Sequence, residues 1–180
     1  LMASTAEMEN PHDIKLSPDG RELFVSDVGN DRVLVLDAET LAPLWSFGAD
    51  HQRGTHDVDF GPDGRVYVAD THNNRATIYE LDGRSARLVG ELSEGVRGVE
   101  GVLVHPNGRV YVGGAWSDNV VAFENGKPVA ELGGLASPHD LELAPSGDIW
   151  LSDSGNDRML LLSPDLAVLE EWTGAPWNFN

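Results

Sequence analysis

The same four-residue turn is written four times in this chain, and that repetition restricts the fold more than any other feature. It reads Ser17-Pro18-Asp19-Gly20, Gly61-Pro62-Asp63-Gly64, His105-Pro106-Asn107-Gly108 and Ala144-Pro145-Ser146-Gly147. Proline presets φ for the first central position, and glycine accepts the positive φ that closes a turn between two strands. The turn glycines recur with a period of about 40 residues, the spacing of propeller blades and solenoids.

Each copy has the same surroundings. A short alternating strand precedes the turn, at 12–16, 56–60, 100–104 and 139–143. A second strand, rich in β-branched and aromatic residues, follows it: Leu23-Phe24-Val25, Val66-Tyr67-Val68, Val110-Tyr111-Val112 and Ile149-Trp150-Leu151. After a polar loop comes a third strand, at 33–36, 76–79, 120–123 and 159–162, then a weaker fourth at 44–47, 88–92, 129–132 and 168–172. No stretch combines helical period with caps. Four strands per copy predict an all-β fold, a four-bladed β-propeller of four-stranded antiparallel blades. Residues 1–180 then form one domain, with blades at about 11–54, 55–98, 99–137 and 138–174. A compact ring is expected, because an open one exposes blade faces.

The loop between the second and third strands carries a further repeat. An aspartate precedes an arginine by five residues in Asp27 and Arg32, Asp70 and Arg75, and Asp153 and Arg158. With this motif the chain resembles the NHL-repeat propellers from Pro11 to about Trp172, although propellers of that family more often have six blades. Recurrence in three blades points to a pair that ties loops together rather than one that binds a ligand. Blade three departs, with Gly114 and Asn119 in the two places, through drift or because a pocket lies there.

Eight residues before each turn glycine stand His12, His56, Glu100 and His139. This position begins the innermost strand, beside the central axis, so a propeller projects three imidazoles and one carboxylate at one place. Polar groups crowded there each need a partner. One divalent transition metal satisfies all four, and this donor set suits zinc, iron or copper rather than calcium or magnesium. The chain has no cysteine, so histidine and carboxylate are the donors it has. A bare hydrogen-bonded cluster, or a histidine inherited by duplication, are the alternatives.

The segments Pro11-His12-Asp13-Ile14, Thr55-His56-Asp57-Val58 and Pro138-His139-Asp140-Leu141 resemble the Pro-His-x-hydrophobic segments of the peptidyl-α-hydroxyglycine α-amidating lyases. That resemblance implies a zinc held at the axis by His12, His56 and His139, with Glu100 departing from the pattern as an added ligand. The lyases also use a Tyr and an Arg from the loops after the second strands. Here those places hold Val28, His72, Trp116 and Ser154, so the resemblance implies the metal site and not the amidating chemistry.

The same face gathers His72, a candidate catalytic acid or base, and Trp116, Arg53 and Arg97, candidate substrate-binding residues. Plain solvated roles are the alternatives. Asp13, Asp57 and Asp140 are expected to hold adjacent backbone or to orient an imidazole. With 30 acidic and 12 basic residues, a net charge of −18 excludes nucleic acid and anionic membrane surfaces as partners. No apolar run approaches the ~18 residues that cross a bilayer. The expected function is a metalloenzyme acting on a small-molecule substrate by lyase- or hydrolase-like Lewis-acid chemistry, or by redox chemistry with iron or copper. The alternative is a structural metal pinning a protein or peptide interaction module.

Overall fold

The computed structural model describes residues 8–174. Its strands form four antiparallel four-stranded sheets, each with its strands in chain order from the axis outward. Blade one is β1 (Pro11–Leu16), β2 (Glu22–Asp27), β3 (Arg32–Asp37) and β4 (Pro43–Phe47). Blade two is β5 (Thr55–Phe60), β6 (Val66–Asp70), β7 (Arg75–Asp82) and β8 (Ser85–Leu92). Blade three is β9 (Val99–Val104), β10 (Val110–Gly114), β11 (Asn119–Glu124) and β12 (Lys127–Leu132). Blade four is β13 (Pro138–Leu143), β14 (Ile149–Asp153), β15 (Arg158–Leu162) and β16 (Val168–Thr173). The protein is a four-bladed β-propeller, as the period predicts. Its helical content among the described residues is three single 3-10 turns, at Val28–Asn30, Thr71–Asn73 and Ser154–Asn156.

Alternation along the second strand of each blade builds the seams. Val66 and Val68 pack with Phe24, Val33 and Val35 of blade one, whereas Tyr67 and Ala69 pack with Val99, Val110 and Val112 of blade three. Tyr111 packs in turn with Leu141, Ile149 and Leu151 of blade four. An aromatic face of one blade thus meets an aliphatic pair of the next. Each such side chain contributes about 1.5–3 kcal/mol on burial. The Tyr111 hydroxyl also crosses its seam, donating to the Pro164 carbonyl at 2.6 Å.

The repeated Asp and Arg do tie the loops. Asp27, Asp70 and Asp153 are fully buried. One carboxylate oxygen accepts from Arg32, Arg75 or Arg158 Nε at 2.8, 2.8 and 2.6 Å. The other accepts the backbone N–H of the incoming connection, Glu9, Arg53 or Ala136, at 2.7 Å in each case. A residue in the left-handed region then clips each loop to the next blade. Asp31, Asn74 and Asp118 accept the N–H groups of Gly54, Gly98 and Ser137. Blade three replaces its missing aspartate with a serine. The Ser117 hydroxyl accepts the Arg97 N–H at 2.9 Å and donates to Asn119 Oδ1 at 2.7 Å, so its departure conserves the tie.

The contact between blades four and one differs from the other three. Among the described residues, no apolar cluster joins these two blades. Near the axis Lys15 on β1 reaches Glu142 on β13 at 3.2 Å and Asp59 on β5 at 3.4 Å. Burial works against the Lys15 charge, but the two carboxylates more than offset it and hold the ammonium above its ordinary range. Further out, Trp150 and Trp172 lie with ring centres 5.0 Å apart beside a groove of about 440 Å³. Ile14 and Leu16 on β1 are exposed. The ring therefore meets at its axis through polar contacts, and its fourth seam lacks the apolar filling of the others.

If buried aspartates hold the loops, Asp70→Ala removes the partner of Arg75 Nε and of the Arg53 N–H together, leaving Arg75 only its outer contacts with Glu91 and the His51 carbonyl. Removing one partner of a buried pair costs about 3 kcal/mol or more, and urea unfolding should show that loss. A midpoint unchanged from the parent protein would mean that the tie contributes nothing.

Candidate functional site at the propeller axis

The four column residues share a backbone device. In β1, Pro11 pairs with Asp27 and Ile14 with Val25, so His12 and Asp13 together oppose Ser26. In β5, Thr55 pairs with Asp70 and Val58 with Val68, leaving His56 and Asp57 opposite Ala69. Glu100 and His139 are likewise passed over between Val99 and Gly101 and between Pro138 and Asp140. Each is a β-bulge, which re-aims a side chain and ends regular pairing.

The bulges bring the column together. The ring centres of His12 and His56 are 4.3 Å apart, those of His12 and His139 5.0 Å, and those of His56 and His139 6.1 Å. His139 Nε2 lies 3.7 Å from Glu100 Oε2. Three imidazoles bound to one ion at Zn–N of 2.0–2.1 Å would have ring centres about 5 Å apart. The ring spacing is of the size such a site needs, and the side chains are of the kinds that bind metals. The donor atoms themselves do not converge: among the described residues no group of three or more histidine or carboxylate side chains is arranged to hold one.

All four column residues line a cavity of about 710 Å³. Asp13, Asp57 and Asp140 line it too, and no lysine or arginine does. Asp57 also works as a structural clip, since one oxygen accepts the N–H of Val58 and the other that of Val102 in blade three, at 2.6 and 2.7 Å. Asp140 accepts only from its neighbour Leu141, at 2.9 Å.

Burial and like charge set the protonation of this cluster. Burial chiefly, then the neighbouring His12 and His139, pushes His56 down to about 4. His12 is lowered by burial and by His139. Glu100 is raised by burial, against the pull of His12 and His72. Asp57 is raised by burial and by Asp13, and Asp140 for the same two reasons. Near neutral pH, His12 and His56 are therefore uncharged and present lone pairs to a field of crowded carboxyl groups.

The other predicted residues stand outside that lining. His72 and Trp116 form a neighbouring rim, with ring centres 5.5 Å apart. Each ring lies across a glycine of the incoming connection. A Cβ on Gly54 would come within 2.6 Å of His72, and Gly98 is covered by Trp116 in the same way. Trp116 is 49% exposed. Arg53 and Arg97 are tied through their backbones while their side chains are exposed, so neither borders the cavity. The lining includes Ser154 from the loop after β14 and adds Ser152 and Met159, which the sequence did not single out.

Acid should act on His56 first. With a folded-state value near 4 against an ordinary 6.5, the unfolded chain binds more protons between those limits. Stability should therefore fall as pH drops through that window, and His56→Asn should flatten the slope. A His56 NMR titration with its midpoint near 6.5 would contradict this reading.

Comparison with known proteins agrees on the fold. Residues 56–79, from His56 to Tyr79, match the family model of the NHL repeat. No curated protein matches the chain by sequence. A streptogramin B lyase structure aligns with a TM-score of 0.76 and 13% identity, over 94% of this chain and 56% of that one. Virginiamycin B lyase from Staphylococcus aureus aligns with a TM-score of 0.73 and 10% identity, over 92% and 56% of the two chains. Kuenenia stuttgartiensis hydrazine synthase aligns with a TM-score of 0.73 and 20% identity, over 92% and 49%. The chain thus spans about half the length of these three structures and shares their fold.

Proposed function

We propose that the axial cluster is a divalent transition-metal centre of an enzyme that acts on a small molecule with lyase-like chemistry. One observation carries this reading: three imidazoles and a carboxylate, from four blades, meet on bulges at one end of the axis. His12, His56, His139 and Glu100 are the residues that hold the ion, which is zinc, iron or copper by its donor set. When bound, the ion supplies Lewis acidity toward a substrate oxygen, with redox chemistry added if it is iron or copper.

The chain's own groups supply the rest. Burial raises the Glu100 carboxyl, which favours a cation beside it that holds it ionised as a ligand. His72 acts on the charge of Glu100 from the rim and is the candidate acid or base beside it. The exposed ring of Trp116 next to it forms a wall for a substrate. A cavity lined by carboxyl groups without lysine or arginine selects neutral or cationic substrates over anions. Arg53 and Arg97 lie outside it and have no role in this reading. Two of the structurally similar proteins are named lyases, which points in the same direction. The apolar groove beside Trp150 and Trp172 favours a second reading, a structural metal within a protein or peptide interaction module.

Protein purified without chelator should carry about one transition-metal ion per chain by elemental analysis. Glu100→Gln should weaken the binding while the β fold remains, and His12→Ala, His56→Ala and His139→Ala should each lower metal content. Native content in all three alanine variants would sink the proposal.

A further inference from the structure

The loop between β6 and β7 places Thr71 where blade one has Val28, blade three Ala115 and blade four Ser154. Thr71 is buried, with 1% of its surface exposed. Its hydroxyl makes two short contacts. Thr71 Oγ1 donates to the carbonyl of Val99 in blade three at 2.6 Å, and it lies 2.6 Å from His56 Nδ1. Val99 immediately precedes Glu100, so one hydroxyl joins the backbone just before one column residue to the ring of another.

Counting protons resolves the direction of the second contact. A hydroxyl has one hydrogen, and a carbonyl oxygen can only accept. The hydrogen goes to Val99, so Thr71 Oγ1 can only accept from His56. His56 Nδ1 therefore carries a proton, and in the neutral ring Nε2 holds the lone pair. Among the described residues, neither His12 nor His139 has a comparable hydrogen bond from its ring to a neighbouring hydroxyl.

We infer that Thr71 is a positioning residue that locks His56 in the Nδ1–H tautomer and leaves Nε2 as its one donor atom. Its consequence for metal binding rests on the axial metal site proposed above; the tautomer itself does not. The outer hydrogen bond of a metal-binding histidine fixes its tautomer and ring orientation, and losing such a partner typically weakens binding 10–100-fold. His56 is then the preset donor of the cluster, held against the strand that carries Glu100, while the His12 and His139 rings turn to complete the arrangement.

Long-range proton–nitrogen NMR on the metal-free protein near neutral pH tests this, with the His56 signals assigned by their loss in His56→Gln. The parent protein should show Nδ1 protonated and Nε2 bare. Thr71→Val, which removes the hydroxyl at nearly constant volume, should give a mixture of tautomers and about 10-fold or more weaker Zn²⁺ binding. Thr71→Ser should retain the parent tautomer and affinity. An Nε2–H tautomer in the parent protein overturns the inference, and so does a Thr71→Val protein with parent tautomer and affinity. If Thr71→Val does not fold, the parent and Thr71→Ser tautomers decide the matter. If the parent protein binds no Zn²⁺ but its tautomer still depends on Thr71, the metal reading falls and the positioning role stands.

Discussion

Packing of one blade's aromatic face on the aliphatic pair of the next blade, at three of the four seams, sets the geometry of what lies nearer the axis. Tyr67 and Ala69 seat the strands of blade three, and Tyr111 seats those of blade four, so β5, β9 and β13 are held side by side. Regular alternation from Val58, which packs into the seam with blade one, would send His56 to that same side. The bulge breaks the alternation and frees the residue for the cavity. The seams thus decide where the inner strands stand, and the bulges decide what those strands present.

Two sets of carboxyl groups show how differently acidic side chains are used. Asp27, Asp70 and Asp153 each have an arginine and a backbone N–H, the pairing that a buried charge requires. Asp57, Asp140 and Glu100 have no arginine or lysine among the described residues that line the cavity, although Lys15 acts on Asp57 from β1, and desolvation raises all three. Protonation relieves such a group, and so does a bound cation. His12 and His56, both lowered by burial, provide neutral nitrogen donors beside those carboxyl groups. Crowding of these carboxyl groups opposes their ionisation, and that is the physical argument for the ligand proposed at the axis.

The blade count and the column were legible because each rests on local, repeated chemistry. A Pro-x-Gly turn needs only its own residues to be recognised, and His12, His56, Glu100 and His139 fall in one register without a gap. The bulges were not legible, since a bulge exists only relative to the strand opposite. Thr71 looked like any loop residue, because its partners lie 15 and 28 residues away along the chain. The same holds for His105, which is buried and donates from Nε2 to the Gly147 carbonyl at 2.8 Å, joining the turns of blades three and four. Blade three's Gly114 and Asn119 left drift and a pocket both open. In the structure Ser117 supplies a loop tie of its own at that place.

The fourth seam follows from the same packing rule by exception. Trp150 occupies the place of Tyr67 and Tyr111, yet its ring rests against Trp172 of its own blade rather than an aliphatic pair. Val25, Leu34 and Leu36 form the matching aliphatic face of blade one and pack with Met8 and Leu23. Asp157 repeats the left-handed position of Asp31, Asn74 and Asp118, but among the described residues no following blade offers it an N–H. The two halves of a seam are present and satisfied separately, and Lys15 with Glu142 is what spans them. The axial cluster is therefore held unevenly. Thr71 fixes His56 to the strand of Glu100, whereas the separation of His12 from His139 depends on the contact with the least buried apolar surface. Any ligand that draws these two histidines together acts on the softest joint of the ring, where the least packing opposes it.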